Sequence, residues 1–307
     1  DCIVPWSGGK DSSSIAYKLK HDFKMNPLLT TFSPLIPTKI GSLNRELLIQ
    51  NGFDNIFFRP NQKISKYLSR RFFLERGNPK IHWDAGVNAF PVHVALEKNI
   101  KLVFYAEHGE SEYGGNVLNK DSDKFRDLNE VLENQIGDDP SNWKDNLVNS
   151  NDLNMYKYPD PEKIENKSIK AYYFSYFFKW DVYENYKFVK DRFGFKENDK
   201  RISGTFQNYD SMDDHIDPLY YYMQYVKFGF GRCLRDASRL VQNNHLSRDK
   251  ALQYIEKYEG EFPEEVLHQC LNYLDLDLVQ FNEIVEKHRN NEIWKKEGNE
   301  IKLNFKL

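Results

Sequence analysis

The chain has 307 residues, 40% hydrophobic and 29% charged, which is the composition of a folded globular protein and excludes a disordered one. Its net charge of −3 gives no overall attraction to nucleic acid, and no run of about 18 apolar residues offers a membrane span. Cys2, Cys233 and Cys270 stand far apart with no CxxC pair, which argues against a zinc ribbon or redox pair and suits a reducing, cytoplasmic setting.

No signal peptide is visible, and the first residues already read as a strand, so further residues are expected upstream. Strands are expected at 2–6 (CIVPW), 27–32 (PLLTTF), 54–58 (DNIFF) and 101–106 (KLVFYA), with amphipathic helices near 11–22, 42–51, 61–76 and 85–98. Crossovers of this length imply an α/β fold, a parallel twisted sheet flanked by helices, and place any ligand at the carboxyl ends of its strands. This core is assigned to residues 1–115. From 116 to 168 the chain turns polar and Asn/Asp-rich, an insertion read as a solvated excursion or a lid. Residues 169–205 are expected to complete the sheet, with a strand over 170–178 and a helix capped by Asp181 and Glu184. Ser211 and Asp214 repeat that capping pattern, and the C-terminal portion, 206–307, reads as helical with a break at Gly260 and Pro263. The aromatic content of 15% is read as packing in a core poor in aliphatics rather than as ligand platforms.

The chemistry concentrates in CIVPWSGGKDSSS, residues 2–14. A strand ends at Trp6, the chain turns through Gly8 and Gly9, and a helix follows. Glycines admit close backbone approach, and consecutive N–H groups at a helix N-terminus form an anion cradle. Ser7, Ser12 and Ser13 add hydroxyls and Lys10 a positive charge, so the turn reads as a phosphate site. It is not a Walker A loop, since Asp11 follows the lysine where Ser or Thr is required, and it lacks the GxGxxG spacing.

SGGKDS resembles the PP-loop of the ATP pyrophosphatase family. That resemblance implies ATP as cofactor, with attack at its α-phosphate, and Lys10 with Asp11 in catalytic roles; Asp11 is read either as holding Mg²⁺ or its waters or as merely capping the helix. It points to Val4, Trp6, Thr31 and Phe32 beside the adenine. With the loop, AEHGESEYGG (106–115), YFFKWDVYENY (176–186), FQNYDSMDDHID (206–217) and FGFGRCLRDAS (228–238) are similar to the N-acetyl sugar amidotransferases of bacterial surface-polysaccharide biosynthesis. These include enzymes that place acetamidino groups on nonulosonic acids such as pseudaminic or legionaminic acid. The resemblance implies adenylation of an acetamido oxygen and its replacement by ammonia. The acceptor would be an N-acetylated nucleotide sugar or nonulosonic acid. Ammonia would come from a separate class-I-type glutaminase, since no glutaminase signature is present. Members often begin with a cysteine-bearing zinc-ribbon-like segment, which this sequence does not include.

Glu107 and Glu110 are candidate catalytic acids beyond the fourth strand, with His108, Glu112 and Tyr113 as substrate contacts; the bland alternative is a solvated acidic loop. Trp180 and Asp181 are weighed as sugar or base contacts against packing and helix capping. Asp210, Asp213, Asp214, His215 and Asp217 suggest a metal cluster at first sight, but the helix dipole accounts for most of them, with Asp214 kept as a candidate. Arg232, paired on one helix face with Arg235 or Arg239, offers a clamp for phosphate or carboxylate, or else pairs with Asp236. Two rival functions stay open: a PP-loop tRNA-modifying enzyme, and a nucleotide-binding subunit without catalysis. Neither a membrane nor a nucleic-acid partner is expected.

Overall fold

Cys2–Pro5 carries no polar side chain, and as strand β1 it runs through the middle of the sheet with Cys2, Ile3 and Val4 fully buried. It pairs in parallel with β2 (Pro27–Phe32) on one side and β4 (Leu102–Tyr105) on the other. Outside these lie β3 (Asp54–Phe58) and β5 (Lys170–Tyr173), giving the order β3-β2-β1-β4-β5, parallel throughout. Apolar runs of this kind belong to sheets covered on both faces. Within the same compact unit α1 (Lys10–His21) and α4 (Ile81–Lys98) pack on the sheet, and the chain also forms α2 (Lys39–Gln50) and α3 (Gln62–Arg76) between its strands. The computed structural model describes residues 1–109, 125–126, 128, 131–298 and 300–304, leaving out the side chains of 133–135 and 300.

The expected α/β architecture is present, and the first four strands and helices fall within a few residues of the positions read from periodicity. On α4, Gly86 lets the helix close on β2, because a Cβ there would lie 2.3 Å from the Phe32 ring. Phe32 in turn meets Phe58, Phe90 and Tyr156 at centroid distances of 5.5, 6.3 and 5.7 Å. Clusters of this kind add edge-to-face attraction to the transfer free energy of burial, about 1.5–3 kcal/mol per large apolar side chain.

Three expectations need correction. The strand over 170–178 stops at Tyr173, where β4 also stops, and the chain turns into a short helix, α6 (Phe174–Phe177), with Ser175 N–H donating to Ala106 O at 3.1 Å. A short apolar run does not by itself distinguish strand from helix. The second capping pattern does not start a helix at Ser211. Asp214 Oδ1 does accept from Ile216 N–H (3.1 Å), but the helix begins at Asp217. The C-terminus is not helical to its end, because Trp294–Glu297 (β6) and Glu300–Leu303 (β7) pair antiparallel across Gly298 (φ +66°).

Between β4 and β5 the described residues include a π-helical turn (Val131–Ile136), a 3-10 turn (Pro140–Trp143) and α5 (Pro161–Asn166). The helix after β5 is α7 (Val182–Phe193), capped by Asp181, which accepts from the N–H groups of Tyr183 and Glu184 at 3.1 Å each. Asp181 is therefore the N-cap of a helix, as the sequence pattern expected. The chain divides into two compact units that are not consecutive in sequence. One contains Asp1–Ser65, Ile81–Glu197 and Tyr209–Asp213; the other contains Lys66–Lys80, Asn198–Asn208 and Asp214–Leu307. The second unit holds α8 (Asp217–Phe228), α9 (Arg232–Gln242), α10 (Arg248–Tyr258), α11 (Glu264–Leu274), α12 (Leu278–His288) and the hairpin.

Within the first unit, His82 is fully buried, its Nε2 3.1 Å from Ser65 Oγ, and burial pushes its pKa from 6.5 down to about 3. Below pH 6.5 the unfolded chain binds a proton here that the folded chain refuses. Stability is therefore complete above 6.5 and declines as pH falls toward 3, by about 1.4 kcal/mol per pH unit from this group. Replacing His82 with Gln should flatten the dependence of the urea midpoint on pH between 6.5 and 4 by about one proton's worth. Equal slopes in the two proteins would dismiss the assignment.

Candidate functional site

Trp6 extends the β1 ladder by one residue, donating its N–H to Thr30 O at 2.8 Å, after which the chain turns through Ser7, Gly8 and Gly9 into α1. β2 and β3 lie to one side of β1, and β4 and β5 to the other. The turn therefore stands at the carboxyl end of the strand where the sheet order reverses, the crevice in which open parallel sheets collect ligands.

Gly8 has φ +97°, a conformation that side chains beyond glycine resist. A Cβ at this position would also lie 2.6 Å from Arg45 Cγ. Arg45, from α2, floors the turn: its guanidinium donates to Ser7 O (3.1 Å) and to Ser42 Oγ (2.9 Å). Burial lowers its pKa from the ordinary value, against the opposing charges of Asp213 and Glu46. A Cβ on Gly9 would meet Ser7 Oγ at 3.4 Å, ordinary contact, so Gly8 is the conformationally demanding position. The first-turn N–H groups of α1 have no acceptor inside the helix, and they point out of its N-terminal end beside Ser7.

Lys10 is 1% exposed, and its ammonium pairs with Asp11 (2.6 Å) and Asp210 (3.1 Å). Burial alone would lower its pKa, but the two carboxylates raise it above the ordinary lysine value, and it stays charged. Asp11 Oδ1 accepts from Asn185 Nδ2 (3.0 Å), and Asn185 Oδ1 accepts from Ser14 Oγ (3.1 Å), which ties α7 to the first turn of α1. Ser13 Oγ accepts from the Trp6 indole N–H at 2.8 Å, so both side chains brace the turn from within. Ser12 is half-buried on the exposed side of the same turn.

The other sequence candidates are distributed as follows. Val4 and Thr31 are fully buried and Phe32 nearly so, which leaves their backbone as the only ligand-facing part; Thr31 Oγ1 donates to Trp6 O (2.6 Å). Glu107 is half-buried after β4, while His108 is 6% exposed, donates its N–H to Ser175 Oγ (3.1 Å) and sets its ring edge-on to Tyr173 at 4.6 Å. Glu110, Glu112 and Tyr113 lie outside the described residues. Trp180 is 6% exposed, and its indole N–H has no hydrogen-bond partner among the described residues.

The acidic run does not gather into one cluster. Asp210 meets Lys10, Asp213 O accepts from Thr38 N–H (3.1 Å), Asp214 turns onto Ile216, and Asp217 pairs with the buried Lys80. Of the five residues, only Asp217 stands in the first turn of α8, so the dipole reading covers one acid rather than most. Among the described residues no group of three or more His, Cys, Asp or Glu is arranged to hold a metal. In the second unit, Arg232 is buried with its Nε on both oxygens of Asp236 (2.9 and 2.8 Å). Arg235 lies over the Tyr221 ring at 4.9 Å, with a nitrogen 3.3 Å from its hydroxyl. Cys2 is pushed up to about 11, and Cys233 and Cys270 to about 12, all by burial, which leaves inert thiols.

Sequence reasoning does not single out Asn185 or Arg45, and it reads Asp210 only as one acid of a run explained by the helix dipole, not as a partner of Lys10. Each reaches the loop from a different segment, 200 (Asp210), 175 (Asn185) and 35 (Arg45) positions from Lys10 by their numbering. An apolar groove of about 580 Å³, lined by Leu19, Phe23, Phe104, Tyr172, Phe174 and Phe178, belongs elsewhere. Leu19 is nine residues along α1 from Lys10, about 14 Å of helix.

Residues 203–307 match the family described as "LPS biosynthesis protein WbpG-like, C-terminal domain", about a third of the chain. The match supports a protein of surface-polysaccharide biosynthesis. A search of curated proteins returns no match. Among solved structures, one described as a predicted subunit of tRNA methyltransferase from Methanocaldococcus jannaschii aligns over 62% of this chain and 87% of its own, at 16% identity and a TM-score of 0.29. Nothing about this chain follows from a likeness of that size. Among the described residues no helix is long and apolar enough to cross a membrane.

Proposed function

We propose that the chain is a cytoplasmic ATP-dependent amidotransferase that converts an N-acetyl group of a sugar into an acetamidino group for a bacterial surface polysaccharide. The observation that carries the reading is the Ser7–Asp11 turn, held in a glycine-only conformation at the sheet's reversal point with a buried charged lysine beneath it. The family match over 203–307 supports the pathway, and the SGGKDS loop supports the reaction class.

The donor set suits a polyphosphate: first-turn N–H groups, the Ser7 and Ser12 hydroxyls and Lys10 converge on one turn. ATP, when bound, supplies an α-phosphorus that the acetamido oxygen attacks, so that this oxygen leaves with AMP after ammonia adds to the amide carbon, pyrophosphate having departed first. Lys10 and the N–H groups offset charge growing on the pyrophosphate side. In this reading Asp11, whose oxygens meet Lys10 and Asn185, would hold Mg²⁺ when the nucleotide brings it. In this reading Glu107, half-buried two residues past β4, would take a proton from the incoming ammonium. The acceptor is an N-acetylated nucleotide sugar or nonulosonic acid, and a separate glutaminase delivers ammonia.

The test is mass spectrometry of the protein incubated with ATP, Mg²⁺, ammonium and N-acetylated nucleotide sugars or nonulosonic acids. The product should be about one mass unit lighter than the acceptor, with AMP formed in equal amount. ADP in place of AMP would exclude the mechanism, and intact ATP with every acceptor would favour a non-catalytic subunit.

A further inference from the structure

Asn185 interrupts a stripe of apolar and aromatic residues. On α7 the buried positions are Val182, Asn185, Tyr186, Val189 and Phe193, the spacing of a helix face packed on a neighbour. Asn185 is 5% exposed, and an amide so placed costs free energy unless both of its polar ends are partnered. Both are, and both partners stand on α1: Nδ2 donates to Asp11 Oδ1 (3.0 Å), while Oδ1 accepts from Ser14 Oγ (3.1 Å). Asp11 and Ser14 are three residues apart and share a helix face, so one amide spans one turn of α1.

The arrangement admits one orientation of the amide. A carboxylate ion-paired with lysine only accepts hydrogen bonds, so the NH₂ end of Asn185 must face Asp11 and its carbonyl end must face Ser14, itself 1% exposed. Ser14 thus acts through Asn185 rather than on the loop. Asp11 in turn has its two oxygens divided, Oδ1 on Asn185 and Oδ2 on Lys10 at 2.6 Å. A carboxylate held by one oxygen alone can turn about its side-chain bonds; held by both, its plane is fixed.

We propose that Asn185 is a positioning residue that fixes the carboxylate of Asp11 for the reaction at the loop. The inference rests on the nucleotide-site reading above and deepens it, since it assigns to that site a residue outside the motif. SGGKDS supplies the acid and the lysine, and the partner of the acid's other oxygen comes from α7, 174 positions away. Partners one bond removed from the reacting groups set the orientation of those groups, and their loss costs about 10–100-fold in activity. An acid whose plane is free to turn reaches the reacting geometry only part of the time. Turnover falls, while ground-state binding of the nucleotide, carried by the first-turn N–H groups, stays in place. α7 is therefore a working part of the nucleotide site and not only packing for α1.

Asn185→Leu keeps the volume of the side chain and removes its donor. In AMP formation with ATP and Mg²⁺ it should lower kcat by about 10–100-fold per folded molecule, with KM for ATP changed by less than about 3-fold. Ser14→Ala leaves the donor but unpins the amide, and its kcat should fall between that of Asn185→Leu and the wild type. A second readout needs neither nucleotide nor metal: urea unfolding of the wild type, Asn185→Leu, Asp11→Ala and the double variant. The unfolding constant of the double variant should differ from the product of the single effects by at least about 5-fold. Independent effects would mean that Asn185 does not hold Asp11, and the inference fails. It fails too if Asn185→Leu lowers stability and leaves kcat unchanged, the signature of helix packing alone, or if KM alone rises, the signature of a binding role; the nucleotide site stands in both cases. No AMP from the wild type with any acceptor would overturn the nucleotide reading and this inference with it.

Discussion

Replacing Lys10 with Met is expected to lower AMP and pyrophosphate formation by about 10³-fold or more, the scale on which fixed cationic or N–H stabilisers of a reacting phosphate or oxyanion act. The sequence alone suggests that such a change leaves folding nearly untouched. The burial of Lys10 between Asp11 and Asp210 alters that expectation. Without the ammonium, the two carboxylates lose the buried cation they share, and a loss of about 1–3 kcal/mol should follow. The two effects separate in a double variant. Lys10→Met with Asp210→Asn should recover much of the thermal stability and none of the activity. A single variant that retains a tenth of the wild-type rate of AMP release would remove Lys10 from the mechanism.

Gly8→Val is expected to abolish measurable ATP binding, a weakening of at least about 100-fold, while leaving the sheet intact. Two independent penalties act at this one residue. A β-branched side chain at φ +97° costs about 1–3 kcal/mol in backbone strain, and its Cβ must displace the Arg45 side chain from 2.6 Å. The turn relieves both by relaxing away from the observed conformation, which scatters the N–H groups that form the cradle. Titration of ATP with Mg²⁺ checks the loss, and far-ultraviolet circular dichroism checks that the fold survives. Gly9→Ala serves as comparison, because a Cβ there meets only Ser7 Oγ at 3.4 Å, and its affinity should fall by less than about 10-fold. Equal damage from both substitutions would mean that the turn geometry is not what binds the nucleotide.

The part of this architecture written in local patterns was legible beforehand. PLLTTF and DNIFF read as strands because LLTTF and IFF are short runs of apolar and β-branched residues between turn signals, and the helices between them declare themselves by spacing and caps. SGGKDS located the turn because glycine pairs and anion donors have few other uses at a strand's end. What stayed hidden depends on distant segments. YDSMDDHID looks like a helix preamble, and only the folded chain brings its first acid to Lys10. Asn185 sits one turn into an ordinary amphipathic helix, yet its amide spans Asp11 and Ser14. YFFKW reads equally well as strand or helix, and the answer is set by where β4 stops.

Tyr209–Asp213 belongs to the first compact unit, although the residues on either side of it belong to the second and the family match begins upstream at 203. Any genetic exchange that swaps the C-terminal module as a cassette therefore carries along Asp210, a counter-charge of the buried Lys10. A chimaera spliced near 203 takes Asp210 from the donor of the tail and its partner Lys10 from the donor of the loop. Fragments cut there would have to complement each other in trans before either showed a native nucleotide response.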